Sequence, residues 1–272
     1  MKIENKLILD LEKLTEVGFF LSQNFGKEST NDLHKKLSSI FLSKAIPNSL
    51  SILKLIPGSK FSKEKIPDDF YDFSSIGALA RNFIELTNQH FYFCLQNVSQ
   101  AERDFRLVLY RLHQIRELQK IITQFNDLTD SRFQQLESEY NIKRSELLNN
   151  IFFLSLSQGI QKDLRNGKKS MHLNNQEIIA LRSQELSLFQ GMYKLLSNYT
   201  HTSPLSLNHI GVASDDSNSN LPIVMVELIV NYLNDFFTEF LWSINKKWNV
   251  KFKNTDHQKF IDNQMEIIKN DS

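Results

Sequence analysis

Apolar residues recur at spacings of three and four along most of this chain, the period of an amphipathic helix. Residues 3–22 carry one such stripe. A second helix is expected from Ser29, a capping residue with Asp32 three positions on, to about Lys44. Residues 73–97 are different: Ile76, Leu79, Ala80, Phe83, Ile84, Leu86, Phe91, Phe93 and Leu95 spread round every side, and Arg81 and Glu85 are the only formal charges between 76 and 98. A helix apolar on all sides is a central, buried one. Ser99 with Glu102 opens a fourth helix, whose stripe is Phe105, Val108, Leu112, Ile115, Ile122 and Phe125. The last long helix starts near Pro222 and is striped by Val226, Val230, Leu233, Phe237, Phe240, Ile244 and Trp248.

The breaks are set by polar and proline-bearing stretches. Pro47, Pro57-Gly58 and Pro67 predict turns and short pieces over 45–71. Residues 127–131 are a polar break, and one helix is expected over 132–164, interrupted near Gly159. Residues 165–175 read as a loop. Asn174 with Glu177 caps a helix running to His201, and Pro204 stops it. Residues 202–221 read as a long polar loop. A short helix or a frayed end is expected from Asp256. The expected fold is all-α, a multi-helix bundle of mostly antiparallel helices, about seven or eight in number. Its expected parts are an N-terminal helical extension and connector (1–70), a bundle core (71–255) and a tail (256–272).

Composition agrees: 8 glycines and 5 prolines in 272 residues are few, and 21 phenylalanines predict an aromatic core. With 32 basic and 31 acidic residues the net charge is +1, so no global field draws the chain to nucleic acid or an anionic membrane. The single cysteine, Cys94, excludes an intrachain disulfide and a cysteine-cluster metal site, and its apolar helix makes it a packing residue. The apolar run 221–244 carries Glu227, Asn231, Asn234, Asp235 and Glu239, unlike a membrane span. The start of the chain has charges throughout and no apolar signal core, so the expected location is cytoplasmic.

No glycine-rich phosphate loop, Gly-x-Ser-x-Gly elbow, His-Glu-x-x-His or Glu-x-x-His occurs. No cofactor and no metal are expected; His201 and His209 alone lack further ligands. The candidate chemistry sits at 190–204. Tyr193, Ser197 and His201 recur every four residues and so share one helix stripe. Such a row can bind a polar ligand or position a general base, and Lys194 and Asn198 flank it as anion contacts. A dipole-favoured histidine at a helix end explains the same pattern structurally. Arg81 and Glu85, one turn apart, are the second constellation, as an ion pair or the floor of a site. A third is the basic face formed by Arg103, Arg106, Arg111 and Arg116, with Lys162, Arg165, Lys168, Lys169 and the run 246–253, a phosphate surface if these converge.

Arg81-x-x-x-Glu85 on an apolar helix, followed by Tyr193-x-x-Leu196-Ser197-x-x-x-His201 and Ser203, resembles a group of uncharacterised bacterial all-helical proteins over about residues 70–245. More distantly the chain is similar to HEPN helical bundles. Many of these are metal-independent RNases of toxin–antitoxin and other defence systems, with an Arg and a following His separated by four to six residues at a site assembled across a dimer. Here Leu196, Leu195 and Lys194 occupy the positions where that arginine would stand before His201, and the one formal match, Arg165 to His172, spans an Asn166-Gly167 turn. The uncharacterised group brings no established activity; the leading expectation is a cytoplasmic helical protein, in a bacterial defence or toxin–antitoxin context, with a polar pocket lined by Arg81, Glu85, Tyr193, Ser197 and His201, in which Glu85 or Ser197 orients His201. Its rivals are an RNase using His201 as base with Lys194 or Arg81 at the phosphate, and a non-catalytic interaction module or antitoxin subunit docking through Phe236, Phe240 and Trp242. RNA, a protein or a second copy are the candidate partners.

Overall fold

The structure, a computed structural model, describes residues 3–25, 31–62, 71–125, 131–182, 185–201, 203–215, 220–250, 252 and 255–271. Among them are twelve α-helices and no strand: α1 (Asn5–Phe25), α2 (Leu33–Leu55), α3 (Phe73–His90), α4 (Gln100–Gln124), α5 (Ser131–Leu148), α6 (Ile151–Ser155), α7 (Gln158–Leu164), α8 (Asn175–Leu181), α9 (Leu186–Thr200), α10 (Pro204–Asp215), α11 (Leu221–Trp248) and α12 (Thr255–Asp271). A single π-helical turn, Phe91–Leu95, continues α3.

The all-α expectation holds, but the helices outnumber the seven or eight expected because three long stretches divide differently. Helix α2 runs through Pro47 to Leu55 where turns were expected. Leu42, Ala45, Ile52 and Leu53 are fully buried on it, and that burial outweighs the roughly 3 kcal/mol of an internal proline. Its cap is Asp32, whose carboxylate accepts from the His34 and Lys35 backbone N–H groups; the expected cap, Ser29, and Pro67 lie outside the described residues. The 132–164 stretch is three helices. Asn150 caps α6 by accepting from Phe152 and Phe153, and Ser157 opens α7, so Gly159 lies inside a helix and not at the break. The polar loop expected over 202–221 holds α10. Ser203 and Ser206 cap it reciprocally, each Oγ accepting the other's backbone N–H at 3.2 and 3.1 Å, so Pro204 starts a helix instead of only ending one. The Asn174–Glu177 pair forms the expected capping box, at 3.0 and 2.7 Å, but the helix it opens ends at Leu181 and α9 begins separately.

Two compact units result, Met1–Leu95 with Ile178–Ser272, and Gln96–Glu177. This division differs from the boundaries 1–70, 71–255 and 256–272, since α1, α2 and α12 belong with α3 and α11 while α4 to α7 form a unit of their own.

In the first unit α3 packs on α2, α9 and α11. Phe83 meets Phe237 and Phe240 edge-on at 4.8 and 6.3 Å, the preferred geometry for aromatic pairs. Thr15 against Ser49 and His90 against Ser38 place α1/α2 and α2/α3 antiparallel, while Phe83 on Phe237 and His90 on Phe240 make α3 and α11 parallel. Helix α11 alone among the described residues has the length and composition to cross a bilayer, and 56% of its most apolar window is buried in the fold, as in a core helix.

The second unit is closed by Phe105, Leu109, Leu112, Leu147, Phe153 and Leu164. Gly167 ends α7's turn at φ 65°, and a Cβ there would lie 3.1 Å from the Leu112 backbone, so only glycine fits.

Candidate functional site

Helices α3 and α9 pack antiparallel and closely. A Cβ on Gly77 would sit 2.8 Å from Tyr199 Cδ2, so the glycine permits the approach. Two turns along the same contact, Tyr193 enters the Arg81–Glu85 pair. Its hydroxyl donates to Glu85 Oε1 at 2.5 Å and accepts from Arg81 Nη2 at 3.2 Å, while Arg81 Nε donates to the same carboxylate oxygen at 3.1 Å. The guanidinium also lies 5.0 Å from the Tyr193 ring centroid, and Phe189 stacks against that ring at 5.4 Å. Burial, together with the bond to the Glu85 carboxylate, pushes the Tyr193 phenol above its ordinary range. It is therefore a neutral hydrogen-bond donor at neutral pH and no phenolate nucleophile.

The cluster is a helix clamp with two half-buried charges at its edge. Tyr193→Phe removes both hydroxyl bonds and costs about 1–2 kcal/mol of stability, read from chemical denaturation. A cost near zero would mean solvent replaces the phenol fully.

The rest of the row is not drawn into the clamp. Ser197 Oγ donates to the Tyr193 carbonyl at 2.6 Å, within its own helix. Asn198 Nδ2 does the same to Lys194 O at 2.9 Å. His201 is exposed as the C-terminal cap of α9: its N–H reaches Ser197 O at 3.3 Å, and its carbonyl accepts from Ser203 N at 2.6 Å. The hydrogen bonds of Glu85 and Ser197 go to Arg81, Tyr193 and backbone, which leaves the expected orientation of His201 by either of them without a contact to carry it. Lys194 is exposed. His209 Nδ1 pairs with the Tyr199 hydroxyl at 2.9 Å, so its bond goes to the fold and not to His201.

Arg106, Arg111 and Arg116 of α4 are internal ties and not members of an open phosphate face. Arg106 is buried and holds Glu102 and Gln96. Arg111 pairs with Glu139 through Nε and Nη2 at 2.6 and 2.8 Å, and Arg116 Nη1 donates to Asn166 O at 2.7 Å. Arg165 and His172 flank the Asn166-Gly167 turn. His172 packs on Phe105 and Phe152, where burial, with Arg106 nearby, lowers its imidazole to about 4. Cys94 is buried, and burial first of all raises its thiol to about 12, which disqualifies it as a nucleophile.

Sequence reasoning missed Arg182, whose side chain is only 2% exposed. Its Nε and Nη2 grip Glu239 at 3.2 and 2.6 Å, Nη1 donates to Asn88 Oδ1 at 2.6 Å, and the guanidinium lies 4.8 Å from the Phe236 ring centroid. The available signal was Glu239 and Asn88, polar groups on otherwise apolar helices.

A family model described as a family of unknown function, DUF5677, matches residues 69–220, more than half of the chain and the stretch that holds Arg81, Glu85 and the Tyr193–His201 row. The chain belongs to DUF5677. The matched region of this DUF5677 protein runs from just before α3 to the start of α11, so it includes both helices of the clamp and all of α10. No curated protein and no solved structure matches the chain.

Proposed function

We propose that this DUF5677 protein is a non-catalytic interaction module of the cytoplasm that pairs with a second copy of itself through α9, α10 and the start of α11. The observation that carries this reading is a run of aliphatic side chains left about half exposed on three neighbouring helices: Leu186 and Leu188 on α9, Leu205, Leu207 and Ile210 on α10, and Val224 and Leu228 on α11. Exposed apolar side chains gathered on neighbouring helices are the mark of an interaction site. Helix α10 carries no charged side chain before Asp215, so nothing on it selects an oppositely charged partner, and twofold self-association is the commonest outcome for such a face. The patch differs from the one expected from sequence, because Phe236 and Phe240 are buried in the core.

The site chemistry supports binding over covalent catalysis. Tyr193 stays protonated, Ser197 is bonded into its helix, and Arg81 and Glu85 neutralise each other. Leu207→Glu leaves the fold intact, because the side chain is 54% exposed, and puts a carboxylate into the pairing face. Its expected result is a monomer in sedimentation with unchanged helix content; a variant that still pairs rules this face out.

A second reading is favoured by one observation: exposed His201 stands directly before α10, at the rim of the same face. In a HEPN-like RNase of a bacterial defence system, His201 would be the base and Lys194 or Arg81 would hold the phosphate. RNA cleavage by the purified chain, lost in His201→Ala, would favour it over the interaction module.

A further inference from the structure

The basic residues of the second unit play two different parts at the Asn166–Gly167 turn. One set grips it from inside: Arg116 Nη1 donates to Asn166 O at 2.7 Å, Arg144 Nε donates to Asn166 Oδ1 at 3.2 Å, and His113 Nδ1 lies 2.9 Å from Gly167 O. The Gly167 N–H closes the turn on Leu164 O at 2.8 Å. The other set, Lys162, Arg165, Lys168 and Lys169, flanks the turn and is exposed. These four cations meet one carboxylate, Asp163. Lys169 pairs with it at 2.9 Å, and that hydrogen bond first, then the charges of Lys169, Lys168 and Lys162, hold the Asp163 carboxyl below its usual range. Lys162, Arg165 and Lys168 pair with no carboxylate among the described residues. The whole chain carries only +1, so this field is local.

An independent feature adjoins the cations. Gln161 Nε2 donates to Leu154 O at 3.2 Å and to Leu156 O at 2.7 Å, which ties the end of α6 to α7 one residue before Lys162. Around that tie three aliphatic side chains stand in solvent: Ile151 is 72% exposed, Leu154 57% and Ile160 39%. They belong to the second unit, whereas the pairing face is built by helices of the first.

We propose that α6, α7 and the turn after them dock on an anionic lipid bilayer. The cations meet the headgroups, and Ile151, Leu154 and Ile160 enter the boundary with the acyl chains. The gripped turn presents its charges already in place, so little ordering opposes binding. Single-stranded nucleic acid, another polyanion, is held by aromatic stacking beside a basic groove, and the large apolar side chains exposed among these cations are aliphatic.

The test is flotation of the full chain with vesicles of phosphatidylcholine containing about one third phosphatidylglycerol, in about 0.1 M salt. The expected result is saturable binding, with roughly tenfold or weaker binding to pure phosphatidylcholine and weakening as salt rises towards about 1 M. Lys162→Gln with Lys168→Gln is expected to weaken binding roughly thirtyfold, about fivefold for each cation. Leu154→Gln leaves every charge in place and is expected to weaken it roughly tenfold. All three positions are exposed, and unchanged helix content verifies the fold of each variant. No binding to the anionic vesicles, equal binding to neutral ones, or parental affinity in either variant would overturn the assignment. Poly(U) RNA bound in place of the vesicles would assign the patch to nucleic acid instead.

Discussion

Replacing Arg182 by methionine is expected to lower the unfolding free energy by about 3–5 kcal/mol, the cost of stranding a buried partner. The side chain is 2% exposed and its partner Glu239 19% exposed, so solvent screens the pair little. Methionine restores volume and the contact with Phe236, but it offers no donor to Glu239 or to Asn88 Oδ1. The loss is therefore mainly that of the charged donor to a carboxylate and an amide oxygen, not of packing. The double replacement Arg182→Met with Glu239→Leu removes the stranded charge and is expected to recover most of the loss, as buried pairs exchanged for apolar ones do. Urea unfolding of the two variants measures this; a single variant within about 1 kcal/mol of the parent would show that water reaches the pair.

Mild acid is expected to be the second large perturbation. His90 is fully buried between Phe41 and Phe240, with Nε2 and Ser38 Oγ 2.8 Å apart and Nδ1 without a partner among the described residues. Burial, with Arg182 adding to it, lowers its imidazole to about 3. The unfolded chain thus binds a proton at this residue near pH 6.5 while the folded chain refuses it. The stabilisation is complete above pH 6.5 and is lost as pH falls, at about 1.4 kcal/mol per unit until the folded value is reached. From pH 6.5 to 5 His90 alone contributes a loss of about 2 kcal/mol. Burial lowers His172 and His257 as well, so they act in the same direction. Unfolding free energies measured across this window are expected to fall steeply, and the slope should flatten in His90→Gln; a flat profile in the parent would contradict the burial of these rings.

The periodicity of the chain displayed α1, α3, α4 and α11 because their stripes are long and their burial follows the stripe. It hid α10, where the side chains at the start are half exposed and the cap is a Ser–Ser pair in place of the usual Ser–Glu. It misjudged Pro47, because local propensity counts the lost hydrogen bond and not the buried neighbours that outweigh it. The Arg81–Glu85 pair was legible as an i,i+4 spacing, and Tyr193 as the head of a stripe. That Ser197 would turn onto its own helix and His201 outward depends on the angle at which α9 meets α3, which spacing does not encode. Arg182 was illegible for the same reason: its partners lie 94 and 57 residues away.

The central claim is that the half-exposed face of α9, α10 and α11 pairs two copies of this DUF5677 protein. The most direct test is the mass of the full chain in solution by light scattering at micromolar concentration. The account predicts twice the chain mass of 31.8 kDa, falling towards the single mass on dilution. A single-chain mass at every concentration would contradict it.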